Sequence, residues 1–185
     1  MKTYSTLDHI RMRPQMYFPL YRDSLAVFEM ALRFFADPHI AGDAKKLHID
    51  YEGNSVRFRS FGEPIPFAEM HELSGKGMYH GIGEPKQGED DYLCVTPGWG
   101  HVVPLILMGI CKEMELTSFH AGKSLTSRSA DDARCGAEQQ TCEADGAEMR
   151  LTHEKEFAPA QISSKLLKFR ALHPGMEIQV NDKTI

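Results

Sequence analysis

Nine histidines and four cysteines can grip a transition metal, and a cluster of arginines near the start can grip phosphate, so these groups define the first chemistry to consider. A zinc site needs thiolates or imidazoles at short, fixed separations. Cys94, Cys111, Cys135 and Cys142 form no Cys-x-x-Cys pair and have no histidine at zinc-finger spacing, so free thiols are expected. His71, His80 and His101 flank a glycine-rich stretch, residues 74–100, but lack the four-residue spacing of ligands on one helix face; no metal site is expected. Arg11, Arg13 and Arg22 stand among aromatic residues, as in a patch for phosphate. A net charge of −5 argues against a general nucleic-acid binder, and these arginines are read as a solvated face.

The elements that must position these groups follow from periodicity. Leu7 and Ile10 mark a short helix over 7–13 that Pro14 stops. Asp23 or Ser24 can cap the next helix, where Leu25, Phe28, Leu32 and Phe35 repeat at helical spacing. Residues 46–51 and 55–60 alternate apolar with polar around Glu52-Gly53-Asn54, which predicts a hairpin. A short helix is expected over 67–73. The stretch 74–100 then reads as a long loop, and long loops inside compact domains are often lids. Residues 102–114 are almost continuously apolar and predict a buried helix. Strands are expected over 115–120, 123–128 and 147–153, with an edge strand over 134–143, an amphipathic helix over 159–172 and a closing strand over 176–180.

At 185 residues, with 42% hydrophobic and 25% charged content, the chain is long enough for one domain with a real core and is too apolar to be disordered. No repeat or linker divides it, so residues 1–185 are read as a single domain. The element order predicts an α+β two-layer sandwich, a mostly antiparallel sheet with helices on one face. No apolar run approaches the roughly 20 residues that cross a bilayer, and the first residues are too polar for a secretory signal. A cytoplasmic protein without membrane contact is expected.

The stretch LDHIRMRPQMYF resembles the opening of gyrase B and topoisomerase IV subunits, where a leucine-rich turn precedes an Arg-x-Arg-Pro-x-Met-Tyr signature. The likeness continues in order through AVFEM, SVRFRSFGEPIP, GWGHVVPLILMGICKEMEL, HAGKSLTSR, GAEMRLTHEKEF and LLKFRALHPGMEIQVNDK, and so covers essentially the whole chain. It implies the GHKL, or Bergerat, ATPase-type fold with a mixed sheet, and an ATP and magnesium site between sheet and helices.

Position by position, that resemblance implies a degenerate site. Glu29 stands where the family has the glutamate that deprotonates the attacking water. One turn on, an asparagine that ligates magnesium is replaced by Arg33, and a cation does not ligand a cation. The Asp-x-Gly-x-Gly-Ile-Pro turn that binds adenine reads Ser60-Phe61-Gly62-Glu63-Pro64-Ile65-Pro66, keeping Gly62, Ile65 and Pro66 but losing the aspartate to Ser60. The phosphate loop reads Gly98-Trp99-Gly100-His101-Val102-Val103, with its glycines at altered spacing before the helix that would cradle an anion. The supporting threonine falls on Ala147.

The resemblance therefore implies a domain that has lost ATP hydrolysis and serves protein interaction or regulation. Phe61, Trp99 and Val103 would fill the former pocket, no cofactor would be needed, and the partner would be another protein. The alternative is an atypical ATP-binding protein or weak ATPase using Glu29, Arg33 and His101, with ATP and magnesium as cofactors. The family dimerises through an N-terminal arm, and with almost no arm before Leu7 a monomer or weak homodimer is expected.

Overall fold

The computed structural model describes residues 5–36, 46–73, 102–131, 133–181 and 183–184. Helix α1 (Thr6–Met12) starts at a capping box: the Ser5 hydroxyl accepts from the Asp8 N–H at 3.1 Å and the Asp8 carboxylate accepts from the Ser5 N–H at 3.0 Å. Pro14 ends α1 as expected but also opens a second short helix, α2 (Pro14–Tyr17), because its missing N–H costs nothing in a first turn. Asp23 caps α3 (Ser24–Ala36), accepting from the Leu25 N–H at 2.9 Å.

The expected hairpin is β1 (Lys46–Glu52) and β2 (Ser55–Phe61), turned by Gly53 at φ 57° and registered so that Ile49 faces Phe58 and Leu47 faces Ser60. After α4 (Phe67–Leu73) and α5 (Val102–Ile110) come β3 (Glu113–His120) and β4 (Lys123–Arg128). Ala121 and Gly122, at φ 50° and 75°, join them with the two left-handed residues that a type I′ turn requires. The chain ends with β5 (Gln139–Gln140), β6 (Gly146–Thr152), α6 (Pro159–Leu172), β7 (Glu177–Val180) and β8 (Lys183–Thr184).

These strands form one sheet in the order β5-β4-β3-β6-β2-β1-β7-β8, antiparallel at every pairing except β1 with β7. This is the expected α+β sandwich. Leu47, Ile49, Val56, Phe58, Met114, Leu116, Leu125, Met149 and Leu151 point to one face and join the buried side chains of the helices in a single cluster. Phe58 sits at its centre, 5.2 Å from the Phe28 ring and stacked 5.7 Å from that of Phe35. The other face is polar.

Two expectations are corrected. The buried helix expected over 102–114 ends at Ile110, and β3 begins at Glu113. From there Met114 and Leu116 are buried between the outward Glu113 and Glu115, so a period of two had already begun inside the apolar run. The edge strand expected over 134–143 shrinks to Gln139–Gln140 and a single bridge between Ser127 and Cys135. Ala133, at φ 62°, turns the chain away, and the Ser127 hydroxyl holds its carbonyl at 2.7 Å.

Gly109 fixes how closely α1 approaches α5. A Cβ there would overlap Ile10 Cγ2 and lie 2.9 Å from Ile10 Cβ. Gly109→Ala is expected to destabilise by about 2 kcal/mol, lowering Tm by roughly 4–8 °C. Gly175→Ala, whose new methyl meets nothing within 4 Å, serves as the control in the same melts.

Candidate functional site

The chemistry-bearing positions fall into two sets, one on α3 and one where β2 runs into α4. On α3, Glu29 and Arg33 are one turn apart, and Arg33 Nη2 donates to Glu29 Oε1 at 3.0 Å. The other oxygen, Oε2, accepts from Lys165 Nζ on α6 at 2.6 Å. Both carboxylate oxygens are thus engaged by cations, and all three side chains are only partly exposed. Burial pushes the Glu29 carboxyl up, but the hydrogen bond and charge of Lys165, with those of Arg33, outweigh it and hold the group below its ordinary value.

Ser60, the last inward residue of β2, is 1% exposed. Its hydroxyl accepts from the Ala147 N–H at 3.1 Å and donates to the Ala147 carbonyl at 3.2 Å. The side chain thereby continues the β2–β6 ladder beyond its last backbone pair, Arg59 with Glu148. Ala147, fully buried, offers no side-chain hydroxyl of its own. Gly62 follows at φ 130°, a backbone shape reserved in practice for glycine, and its N–H donates to the Asp145 carbonyl at 3.2 Å. The Ile65 carbonyl accepts from the buried Ser118 hydroxyl at 2.6 Å, and the Pro66 carbonyl accepts the N–H of Met70 at 3.1 Å in α4. The polar groups of the first set engage α6; those of the second engage β3, β6, α4 and Asp145 just before β6.

Gly98, Gly100, His101, Trp99, His80, Cys94 and the expected loop over 74–100 lie outside the described residues. Val103 is buried in the core. Phe61 is not. Because Ser60 points inward, the alternation of the strand sends Phe61 to the polar face, where its ring lies 4.7 Å from that of His48. Among the described residues no group of three metal-ligating side chains occurs. Burial pushes the Cys111 thiol up to about 12, which leaves it unreactive, and Cys135 donates to the Met70 carbonyl. Arg11 is exposed, as are Arg13 and Arg22, and its guanidinium also donates to the carbonyl of Ser129, a residue distant in sequence.

Two residues that shape the site were not anticipated. Lys165 precedes Leu166 on α6, and amphipathic spacing alone does not say which neighbouring helix such a lysine meets. Arg59 alternates like an exposed strand residue yet is 3% exposed. Its guanidinium donates to the carbonyls of Ser60 at 2.6 Å, Ala147 at 3.4 Å and Ala144, and lies 4.3 Å from the Phe119 ring centre and 4.8 Å from that of Phe61. Burial lowers its pKa, opposed by the charges of Glu148, Glu143 and Asp145. Gly146 makes this possible: any Cβ there would overlap the Ser60 carbonyl oxygen and lie 2.8 Å from Arg59 Nη1.

No family model matches the chain, and no curated protein matches it. Solved structures do match. The ATPase region of Saccharomyces cerevisiae topoisomerase II superposes with a TM-score of 0.62 at 13% identity, and its form bound to ICRF-187 (dexrazoxane) with 0.61 at 13%; each match covers 100% of this chain and 61% of that one. The B-subunit of DNA gyrase from Myxococcus xanthus gives a TM-score of 0.67 at 15% identity over 95% of this chain and 52% of its own. This chain therefore spans between about half and three fifths of the length of these proteins. Its fold is the GHKL, or Bergerat, α+β fold of the gyrase B and type II topoisomerase ATPase regions. No described helix is long and apolar enough to cross a membrane.

Two measurements test the site. Ser60→Asp places a carboxylate in a buried position whose only room is taken by the Ala147 backbone, so a loss of about 2–4 kcal/mol is expected in denaturant unfolding. For Glu29, a lowered folded pKa means that the stabilisation is complete above its ordinary value of 4.5 and fades as pH falls through the folded value. Glu29→Gln should therefore cost about 0.5–1 kcal/mol at pH 7, a figure kept small by partial exposure, and the gap from the parent chain should close on acidification below pH 4.5.

Proposed function

We propose that this chain is a gyrase B-like domain that has lost ATP hydrolysis and acts as a non-catalytic protein-interaction or regulatory domain. The observation that carries the reading is the double ion pair of Glu29. A general base needs a lone pair aimed at water and a pKa near working pH, and this carboxylate has each oxygen on a cation and a pKa moved the wrong way.

The rest of the constellation agrees with that reading. Magnesium demands oxygen ligands, and at the position where the resemblance puts an amide oxygen stands Arg33, so these residues do not fit the ion. Adenine recognition needs a free acceptor, and the Ser60 hydroxyl is spent on the Ala147 backbone. No catalytic step is derived through either group. We extend the reading to a cytoplasmic protein in which residues 1–185 form one domain, monomeric or weakly dimeric, that works without a cofactor and without general nucleic-acid binding.

A second reading, an atypical nucleotide-binding protein or weak ATPase, is favoured by one feature. Arg33 and Lys165 put two cations on one partly exposed surface between α3 and α6, where phosphate oxygens would replace the Glu29 carboxylate. Isothermal titration with a non-hydrolysable ATP analogue, with and without magnesium, separates the two. No heat is expected, and no rise in Tm. A ligand at 100 times its Kd would stabilise by about 2.7 kcal/mol, so binding that persists without magnesium and disappears in Arg33→Ala would establish the second reading.

A further inference from the structure

The segment from α1 to the start of α3 buries one side and exposes another. Leu7, Ile10 and Phe18 are buried and Tyr17 and Tyr21 pack partly against the core, while Met12, Met16 and Leu20 are 52%, 63% and 57% exposed. These three recur every four residues. The backbone keeps turning between them through Met16 N–H to Arg13 O at 3.0 Å, Phe18 N–H to Pro14 O at 2.9 Å and Tyr21 N–H to Phe18 O at 3.0 Å. Arg13, at φ −139° and ψ 55°, and Phe18, at φ −149° and ψ 95°, interrupt helical geometry between them, so the three side chains are exposed from successive turns of one short stretch of chain, not from one helix face. Beside Leu20 lies a depression of about 420 Å³ lined by Pro19, Leu20, Arg22, Asp23, Ser24 and Lys155.

Charge identifies the occupant. Residues 11–22 contain Arg11, Arg13 and Arg22 and no acidic residue, in a chain whose net charge is −5. Arg13 and Arg22 are exposed within the same stretch, and Arg22 is held over the Tyr21 ring, 5.3 Å from its centre. Exposed apolar side chains rimmed by positive charge mark a contact for a surface of complementary kind, and methionine adapts to varied partners. An anionic membrane fits less well: the path is broken at Pro14 and Pro19, and lipid-binding segments carry longer amphipathic helices or denser basic clusters. Single-stranded nucleic acid fits less well too, because no exposed aromatic ring offers a stacking platform here.

We propose that this exposed stretch docks an acidic amphipathic helix of a partner protein. Its aliphatic side chains lie on Met12, Met16 and Leu20, one of them entering the depression beside Leu20, and its carboxylates pair with Arg13, Arg22 and Lys155. The proposal rests on the non-catalytic reading above and names the partner that such a domain would bind.

The test is selection of the intact chain against a displayed library of random peptides of about 15 residues, long enough to form a helix on binding. Enriched sequences are expected to combine Asp or Glu with Leu, Ile or Phe three and four residues apart. Affinity should fall at least about tenfold in Met16→Ser/Leu20→Ser, and separately in Arg22→Glu, where lysine-for-glutamate peptides should recover it. Basic or uncharged binders, binders indifferent to these substitutions, or no binders at all would overturn the proposal. So would tighter association with phosphatidylserine vesicles than with any peptide, or a self-dimer abolished by the same substitutions. The ATP analogue titrated into the same preparation keeps the two claims apart: nucleotide binding beside acidic-peptide binding refutes only the loss of the ATP site, and a silent pocket without peptide binding refutes only the docking.

Discussion

The sheet consists of two halves, each assembled from a local hairpin and its neighbours, and everything else depends on the seam where β2 of one half pairs with β6 of the other. At one end of that seam the Asn54 carbonyl accepts from the His153 N–H at 2.9 Å while the Asn54 amide donates to the His153 carbonyl, and Gly53 accepts from Phe157 at 2.8 Å. At the other end the Ser60 hydroxyl takes both backbone groups of Ala147, and Arg59 gathers the surrounding carbonyls. From that end, the buried Glu148 reaches back along the seam to Arg57, Nε at 2.9 Å and Nη2 at 2.7 Å. The seam joins segments some ninety residues apart in sequence, so its formation closes a long loop at an entropic cost that local hairpins do not bear. The polar side chains along it are placed where that cost must be offset.

This placement bears on chemistry. A serine whose hydroxyl completes a ladder is committed to structure, because withdrawing it leaves a buried N–H and a buried carbonyl unpaired at about 1–3 kcal/mol. Glu29 shows a different balance. Its ion pairs are partly exposed and contribute little to stability, yet the same contacts lower its basicity, and proton affinity is the whole of what a general base offers. One interaction can be weak as a brace and decisive as a constraint on reactivity. Among the described residues, apolar packing of Phe28 and Phe35 on Phe58 joins α3, which carries the first set, to β2, which carries the second.

Much of this was legible in the sequence. The hairpin, α4, β4 and α6 were placed closely because local periodicity and caps agree with the tertiary environment there, as at Asp23 and Gly53. Where periods overlapped, as at 110–114, the continuous apolar run concealed the change from 3.6 to 2 until burial of Met114 and exposure of Glu113 resolved it. The site was legible as a roll of positions; its wiring was not. Glu29, Arg33 and Ser60 could be named, but Lys165 lies 136 residues from Glu29, and no local pattern carries that contact. Arg59 was hidden for another reason. Alternation assigns it to the polar face, and only the overlying residues around Ala144, with the rings of Phe61 and Phe119, make that face a buried one.

The polar face also explains where the molecule is available to others. Across it run Arg128 with Glu115, Arg57 with Asp50 and Glu148, Arg150 with Glu148, and Lys46 with Glu177, so its charges are neutralised within the sheet. A partner docking there would have to replace pairs already made, at a desolvation cost that its own charges only repay. On the opposite face, buried side chains of α3, α4, α5 and α6 join the apolar cluster of the sheet. Among the described residues, the stretch from Met12 to Arg22 presents Met12, Met16 and Leu20 outward and contains arginines but no carboxylate of its own. Such asymmetry follows from a fold whose first helices pack on α5 by Leu7 and Ile10 and so must turn their remaining apolar side chains to solvent.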